Sequence, residues 1–277
     1  MNKKKVEFYI FAQNLVKGYI MDKKIESISS IDKALDILLL FYKEKRELGI
    51  SEISRLLSMP KSTVHRTILT LEQKGFVFQI QEGGKYWLGM KLYSIGMATW
   101  ENNKLNKIVQ PYARDLSAKF SETVSVSILD DKTEILHTTV IYKEEAMSNR
   151  LRTSHEVGEN YAVHTTAVGK AILAFSSQEV IDKLKNSKLE KNTENTITTI
   201  DQLEHELAFI RSRGYAIDNE EEEIGLKCIA APIFDSSNKV IAAISVSGPV
   251  KRIDLFDKEN VAKTIIETAA KISEHFK

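Results

Sequence analysis

The 277 residues are enough for two domains, and a 43% apolar share with only four prolines and twelve glycines excludes a low-complexity or collagen-like chain. A single cysteine, Cys228, excludes an internal disulfide framework and a multi-cysteine zinc site. The net charge of +1 hides an asymmetry: residues 1–100 carry 16 Lys+Arg against 10 Asp+Glu and residues 101–277 carry 23 against 28, so a basic front half suited to a polyanion is joined to an acidic back half with another task.

At the start, "MNKKKVEFYIFAQNLVKGYIMDKK" places lysines before an apolar run as a secretory leader does, but Gln13 and Asn14 interrupt it and no small-x-small cleavage site follows. No later segment reaches the ~18 consecutive apolar residues a bilayer span needs. The expected location is the cytoplasm, with no membrane partner. Residues 1–26 read as an N-terminal extension, either disordered or a product of start-codon choice, since Met21 precedes the first well-patterned segment. "SSIDKALDILLLFYKEK" then spaces Ile31, Ala34, Leu35, Leu38, Leu39 and Tyr42 as a helix, with Ser30 as its N-cap. Ser51 is placed to cap a second, short helix whose apolar face is Ile53, Leu56 and Leu57. After Pro60 a third helix runs from about Ser62 to Lys74 and stops at Gly75, a natural C′ residue. In "FVFQIQEGGKYWLG", Phe76, Phe78 and Ile80 alternate with Val77, Gln79 and Gln81, Gly83-Gly84 marks a turn, and "KYWLG" is the returning strand. Three helices followed by a hairpin outline a winged helix-turn-helix over residues 27–89.

The third helix carries the chemistry of this half. At about 100° per residue, Val64, Ile68 and Leu71 fall on one side and Ser62, Thr63, Arg66 and Thr70 on the other, with His65 on the flank. The polar side begins at a helix N-terminus, where free N–H groups and the positive dipole end favour phosphate. Lys61 and the hydroxyls suit phosphates, Arg66 can reach a base edge, most often guanine, and Lys85 at the hairpin tip suits a neighbouring phosphate or the minor groove. The plain alternative is a solvated helix face, and His65 alone would mean little.

"MKLYSIGMATWENNKLNKIVQPYARDLSAKF" is helical with interruptions expected near Asn102-Asn103 and at Pro111, giving a linker helix over 90–104 and a second domain over 105–277. There "TVSVSILD", "EILHTTVI", "GYAIDNE", "KCIAAPIFD" and "KVIAAISVSG" read as strands, while "TTAVGKAILAF", "TIDQLEHELAFIRSRG" and "DKENVAKTIIETAAKISEHF" read as helices, the last with Val261, Ile265, Ala269 and Ile272 along one side. The last two strands, joined by "DSSNK", must be antiparallel neighbours, which makes the domain α+β. Thr165 or Thr166 caps the helix of "HTTAVGKAILA", and the small Ala167 and Gly169 would let a carboxylate approach its first N–H groups; a plain capped helix packed on a sheet fits the same letters. Ser245 and Ser247 share one strand face and either line a cavity or bond to backbone. Cys228 reads as a small buried residue, and Glu221 to Glu223 as a solvated charge run.

"ISEISRLLSMPKSTVHRTILTLEQKGFV" with "KYWLGMKLYSIG" resembles the winged helix-turn-helix of the IclR family of bacterial transcriptional regulators. "VHTTAVGKAILA", "RGYAIDNEEEEIGLKCIAAPIFD" and "VIAAISVSGP" resemble that family's effector-binding domain, in order from about Ile28 to the C-terminus. The resemblance implies an α+β protein with a GAF-like antiparallel-sheet effector domain, a homodimer or dimer of dimers, a palindromic double-stranded DNA operator, and a small carboxylate or sugar acid as effector. The residues themselves show no independent catalytic motif, and the six scattered histidines form no His-x-x-x-His pair for a metal, so no catalytic residue, metal or cofactor is expected. The family's effector contacts fall on Ala167, Val168, Asp218, Cys228, Ser245 and Ser247; some members carry glycine at the helix start where this chain has Ala167, which narrows the expected pocket. Two other functions remain to be weighed: a DNA-binding architectural protein whose back half only oligomerises, and a cysteine enzyme with Cys228 as nucleophile and His164 or Asp218 as partner.

Overall fold

The chain divides between Trp100 and Glu101 into two units. The structure, a computed structural model, describes residues 28–131, 136–146, 149, 151–185, 187–254, 256 and 258–277. The expected N-terminal extension lies outside the described residues up to residue 27.

In the first unit, helices α1 (Ser29–Glu44), α2 (Ile50–Leu56) and α3 (Lys61–Gln73) precede the antiparallel hairpin β1 (Val77–Gln79) and β2 (Tyr86–Leu88). Ile37, Phe41, Ile53, Val64 and Ile68 form its core, with Phe41 meeting Trp87 edge-on at 5.9 Å. α3 ends as its letters indicate. Gly75, at φ +76°, sends its N–H to the Glu72 carbonyl, and the Phe76 N–H bonds the Leu71 carbonyl, a Schellman closure.

One local expectation, the pair of capping serines, is corrected, and the inward faces of α1 and β1 are decided by packing. α1 buries Ile37, Leu40 and Phe41, whereas Ile31, Leu35, Leu39 and Tyr42 stay on its exposed side. Helix α1 is apolar on two sides, and helical spacing alone does not say which one meets the core. Neither Ser30 nor Ser51 is a cap: the N-caps are Ile28 and Gly49, without side-chain capping bonds, and both serines lie inside the first helical turn. In β1, Val77 is buried and Phe78 and Ile80 are exposed, so the alternation holds with Val77 on the inward face.

Helix α4 (Met90–Asn102) buries none of its residues. The second unit opens with α5 (Lys104–Phe120), capped by Asn103, whose side chain accepts from the Leu105 N–H at 2.9 Å. Pro111 does not interrupt it. The proline is exposed on the side of Lys107, so the carbonyl left without an amide partner faces water. Strands β3 (Thr123–Asp130), β4 (His137–Glu144), β5 (Asn160–Ala162), β6 (Ala216–Asn219), β7 (Leu226–Phe234) and β8 (Val240–Pro249) form one antiparallel sheet in the order β5-β4-β3-β8-β7-β6. One face, with Val124, Val126, Ile229, Ala231 and Ile244, packs on α5 and on α10 (Lys258–Glu274) through Val261, Ile265, Ala269 and Ile272. The other face meets α6 (Ala167–Ala174), on which α8 (Ile200–Arg213) packs. The short elements β5, α7 (Gln178–Lys185) and α9 (Val250–Ile253) have too few residues to announce themselves by periodicity.

Candidate functional site

The first unit displays its polar helix face. Lys61, Ser62, His65, Arg66 and Thr70 of α3 are exposed and Thr63 is half-buried, while Val64, Ile68 and Leu71 anchor the opposite side. Lys85 is exposed at the turn between β1 and β2. The Thr70 hydroxyl donates to the Arg66 carbonyl at 3.0 Å, which leaves its lone pairs outward as acceptors. Leu69 was missed: it is 41% exposed between Arg66 and Thr70, an apolar residue on a polar face.

In the second unit the sheet face towards α6 carries a polar diagonal. Asp218 pairs across strands with Cys228, Cys228 with Ser247, and Ser245 with Ser125. Above it lies the start of α6, where the Thr166 hydroxyl caps the Gly169 N–H at 3.1 Å, so of the two candidate caps Thr166 serves. Five of the six expected effector residues, Ala167, Val168, Cys228, Ser245 and Ser247, line one cavity with room for about one water molecule. Asp218 does not line it. The aspartate is fully buried one strand further on, where its Oδ1 accepts the Glu221 N–H at 2.8 Å. The cavity also takes in Ser125, Ser127, His155 and Tyr161, which sequence reasoning missed. A signal existed for the serines: "SVS" occurs in both β3 and β8, which are neighbours in the sheet. Gly169 has a different task from the one expected, because an added Cβ would overlap the Val163 carbonyl oxygen; its smallness serves backbone packing.

The acidic run is not uniformly solvated. Glu221 is buried, and the ammonium of Lys170, itself 1% exposed, donates to its Oε1 at 2.5 Å and its Oε2 at 2.6 Å. Glu222 is half-buried and accepts from the Thr165 hydroxyl, and only Glu223 is exposed. A run of like charges conceals a buried member when its partner, here Lys170, lies 51 residues away.

Burial pushes the Cys228 thiol well up, with the Asp218 charge adding to the effect. Such a thiol stays protonated and is a poor nucleophile. His164 is engaged elsewhere, its Nε2 donating to the Glu190 carbonyl at 2.9 Å. Burial also pushes the Asp218 carboxyl up to about 7, against the Glu221 N–H and the more distant Lys170 ammonium. Between its ordinary 3.8 and 7 the folded chain keeps a proton that the unfolded chain has released, so this group makes stability fall as pH rises through that window. His155, lowered by burial to about 4, holds fewer protons when folded and makes stability rise between pH 4 and 6.5. The two oppose each other. Asp218→Asn removes the falling contribution, so melting followed by differential scanning fluorimetry should show the variant gaining stability from pH 4.5 to 6.5 more steeply than the parent protein.

Among the described residues no helix is long and apolar enough to cross a membrane, and no group of three or more His, Cys, Asp or Glu could hold a metal ion. The family model for the IclR helix-turn-helix domain matches residues 30–80, and that for the bacterial transcriptional regulator IclR C-terminal domain matches residues 97–274. The chain is 35% identical over 255 residues to the HTH-type transcriptional regulator KdgR of Dickeya chrysanthemi, covering 92% of this chain and 82% of that one. It is 34% identical over 227 residues to the transcriptional repressor IclR of Escherichia coli K12, covering 82% of each. The crystal structure of the Thermotoga maritima IclR superposes with a TM-score of 0.67 at 31% identity, over 90% of this chain and 99% of that one. With both halves matched in order, the chain belongs to the IclR family of bacterial DNA-binding transcriptional regulators.

Proposed function

We propose that operator binding by this regulator is set by a small carboxylate or sugar acid held at the start of α6. One observation carries the reading: Ala167 and Val168, the first two residues of a capped helix, line one cavity together with Cys228, Ser245 and Ser247. A helix N-terminus favours an anion, and the hydroxyls hold its polar remainder. An architectural protein with a solid back half would not need buried hydroxyls around a cavity. Asp218 acts from behind Cys228 as a positioning residue. Thermal shift of the full chain against a panel of small carboxylates is the test; a ligand at a hundred times its dissociation constant stabilises by about 2.7 kcal/mol, and a panel without any shift would refute the reading.

On the DNA side, the exposed face of α3 enters the major groove of a palindromic operator, with Lys61, Ser62, Thr63, His65 and Thr70 on the backbone and base edges, Arg66 on guanine, Leu69 on a thymine methyl, and Lys85 on a flanking phosphate. Arg66→Ala should cost about 1–3 kcal/mol at one base position, whereas Lys61→Ala should weaken all sequences alike and flatten the salt dependence. Mobility-shift titrations at several salt concentrations with single-base operator variants separate the two; uniform losses in both would remove the base-reading role of Arg66. A palindrome needs a symmetric partner. The exposed stripe of Ile31, Leu35, Leu39 and Tyr42 on α1, unsuited to water, supports a homodimer or a dimer of dimers.

A further inference from the structure

Asp218 sits one strand behind the cavity wall, fully buried and only half bonded. Its Oδ1 accepts the N–H groups of Glu221 at 2.8 Å and Glu222 at 3.4 Å, whereas its Oδ2 has no hydrogen-bond partner. An ionised carboxylate in such a place needs acceptor bonds at both oxygens or a cation, and a bare second oxygen carries a proton at smaller cost than a charge. The cation is already taken. Lys170 is the only buried lysine or arginine among the described residues, and its ammonium is bonded to both oxygens of Glu221. Asp218 is therefore a second carboxyl beside one matched cation.

The other charged groups around it do not change that count. On the turn after β6, Glu222 is half-buried and negative. From α8, Glu206 acts on Glu221 but is paired with Arg213 at 2.7 Å. His164, just before α6, is held neutral by burial. Lys227 of β7 is bonded to Asp254, and Lys191, on the loop that covers the turn, is bonded to Glu194. Directly opposite Asp218 on β7 stands the neutral Cys228 thiol, which lines the cavity.

We infer that effector binding is coupled to uptake of one proton by Asp218, so that the regulator holds its ligand more tightly as its surroundings acidify. The inference rests on the carboxylate reading of the cavity. A carboxylate beside Cys228 adds a third negative charge to two carboxyls and one cation, and a proton on Asp218 offsets it. The ligand stays ionised: an O–H bond forms at the Asp218 carboxyl with a proton drawn from solvent, and no bond at the ligand forms or breaks. Linkage is reciprocal, so a ligand that favours the protonated carboxyl is itself favoured by protonation. The sign follows from where Asp218 titrates in the empty protein, about 7. Above that pH the proton must be regained on binding and affinity falls, by at most about ten-fold per pH unit; below it the proton is already present and affinity levels off.

The test is calorimetric titration of the full chain with acetate, lactate and gluconate, all ionised at pH 6 and at pH 8.5. An acid that binds should do so about ten-fold or more weakly at pH 8.5 than at pH 6, and its heats in HEPES and in Tris at pH 8 should differ by the ionisation of close to one proton. Asp218→Asn should bind within about two-fold at the two pH values and show no buffer dependence. No proton uptake by the parent protein, or uptake that survives the substitution, as His155 in the cavity wall would produce, overturns the inference and leaves the carboxylate site standing. Binding by none of the acids, or methyl esters binding as well as the acids, overturns the carboxylate site and the inference with it. Carbon-13 spectra of the parent protein labelled at aspartate need no variant. One buried carboxyl should titrate near neutral pH and move to its protonated position when the acid is added at pH 8. Aspartate signals that the acid leaves in place would overturn the inference.

Discussion

Lys170→Met should lower the stability of the second unit by about 3–5 kcal/mol, the cost of leaving a buried charge without its partner. The lysine is 1% exposed on α6, and its ammonium is bonded to both oxygens of Glu221. Burial already raises the Glu221 carboxyl above its ordinary range, with the Lys170 charge holding it down. Without Lys170 that carboxyl rises further. Its folded state then keeps a proton across a wider window, and the destabilisation grows as pH increases through it. Lys170→Met/Glu221→Leu removes both charges and should recover most of the loss, since a buried pair replaced by apolar groups of similar volume is close to neutral. Scanning calorimetry of the two variants at pH 5.5 and pH 8 checks both statements. A single variant that melts with the parent protein would mean that the pair is solvated.

Gly169→Ala should cost about 3 kcal/mol, at the upper end of overpacking, because the clash is with backbone. The added methyl would overlap the carbonyl oxygen of Val163, a residue fully buried where the chain turns from β5 into α6. No rotamer relieves such a contact, so the start of α6 must tilt away. That tilt carries Ala167 and Val168, which line the cavity, away from it. The variant should therefore lose ligand-induced stabilisation as well as intrinsic stability. Urea unfolding with and without a stabilising acid measures both. Full retention of the ligand effect would show that the first turn of α6 does not hold the ligand.

The strands and helices of the second unit were legible because their periods are unambiguous. "TVSVSILD" is β3 over its full length, and Thr199 and Gly214 bound α8 as cap and C-cap. The inward side of α1 was not legible, because Ile37 and Phe41 compete with Leu35 and Leu39 for the same helical spacing and only contact with α3 decides. Ala167, Val168, Cys228, Ser245 and Ser247 converge on one cavity although up to 80 residues separate them, and for these a resemblance to a known family supplied what spacing could not. Ser125 and Ser127 left only the repeated "SVS" as a mark, and His155 and Tyr161 escaped because a loop and strand pairing brought them to the cavity, which local sequence does not record. The Lys170–Glu221 pair escaped for the same reason.

A cavity with an open centre about one water wide cannot take in a metabolite at the rate of free diffusion. Its wall must part first, and the rings of His155 and Tyr161, in contact with centroids 4.1 Å apart, form part of that wall. Ligand association should then level off at high metabolite concentration, at the frequency with which those rings separate. Apparent affinity is correspondingly diluted by the fraction of time they spend together.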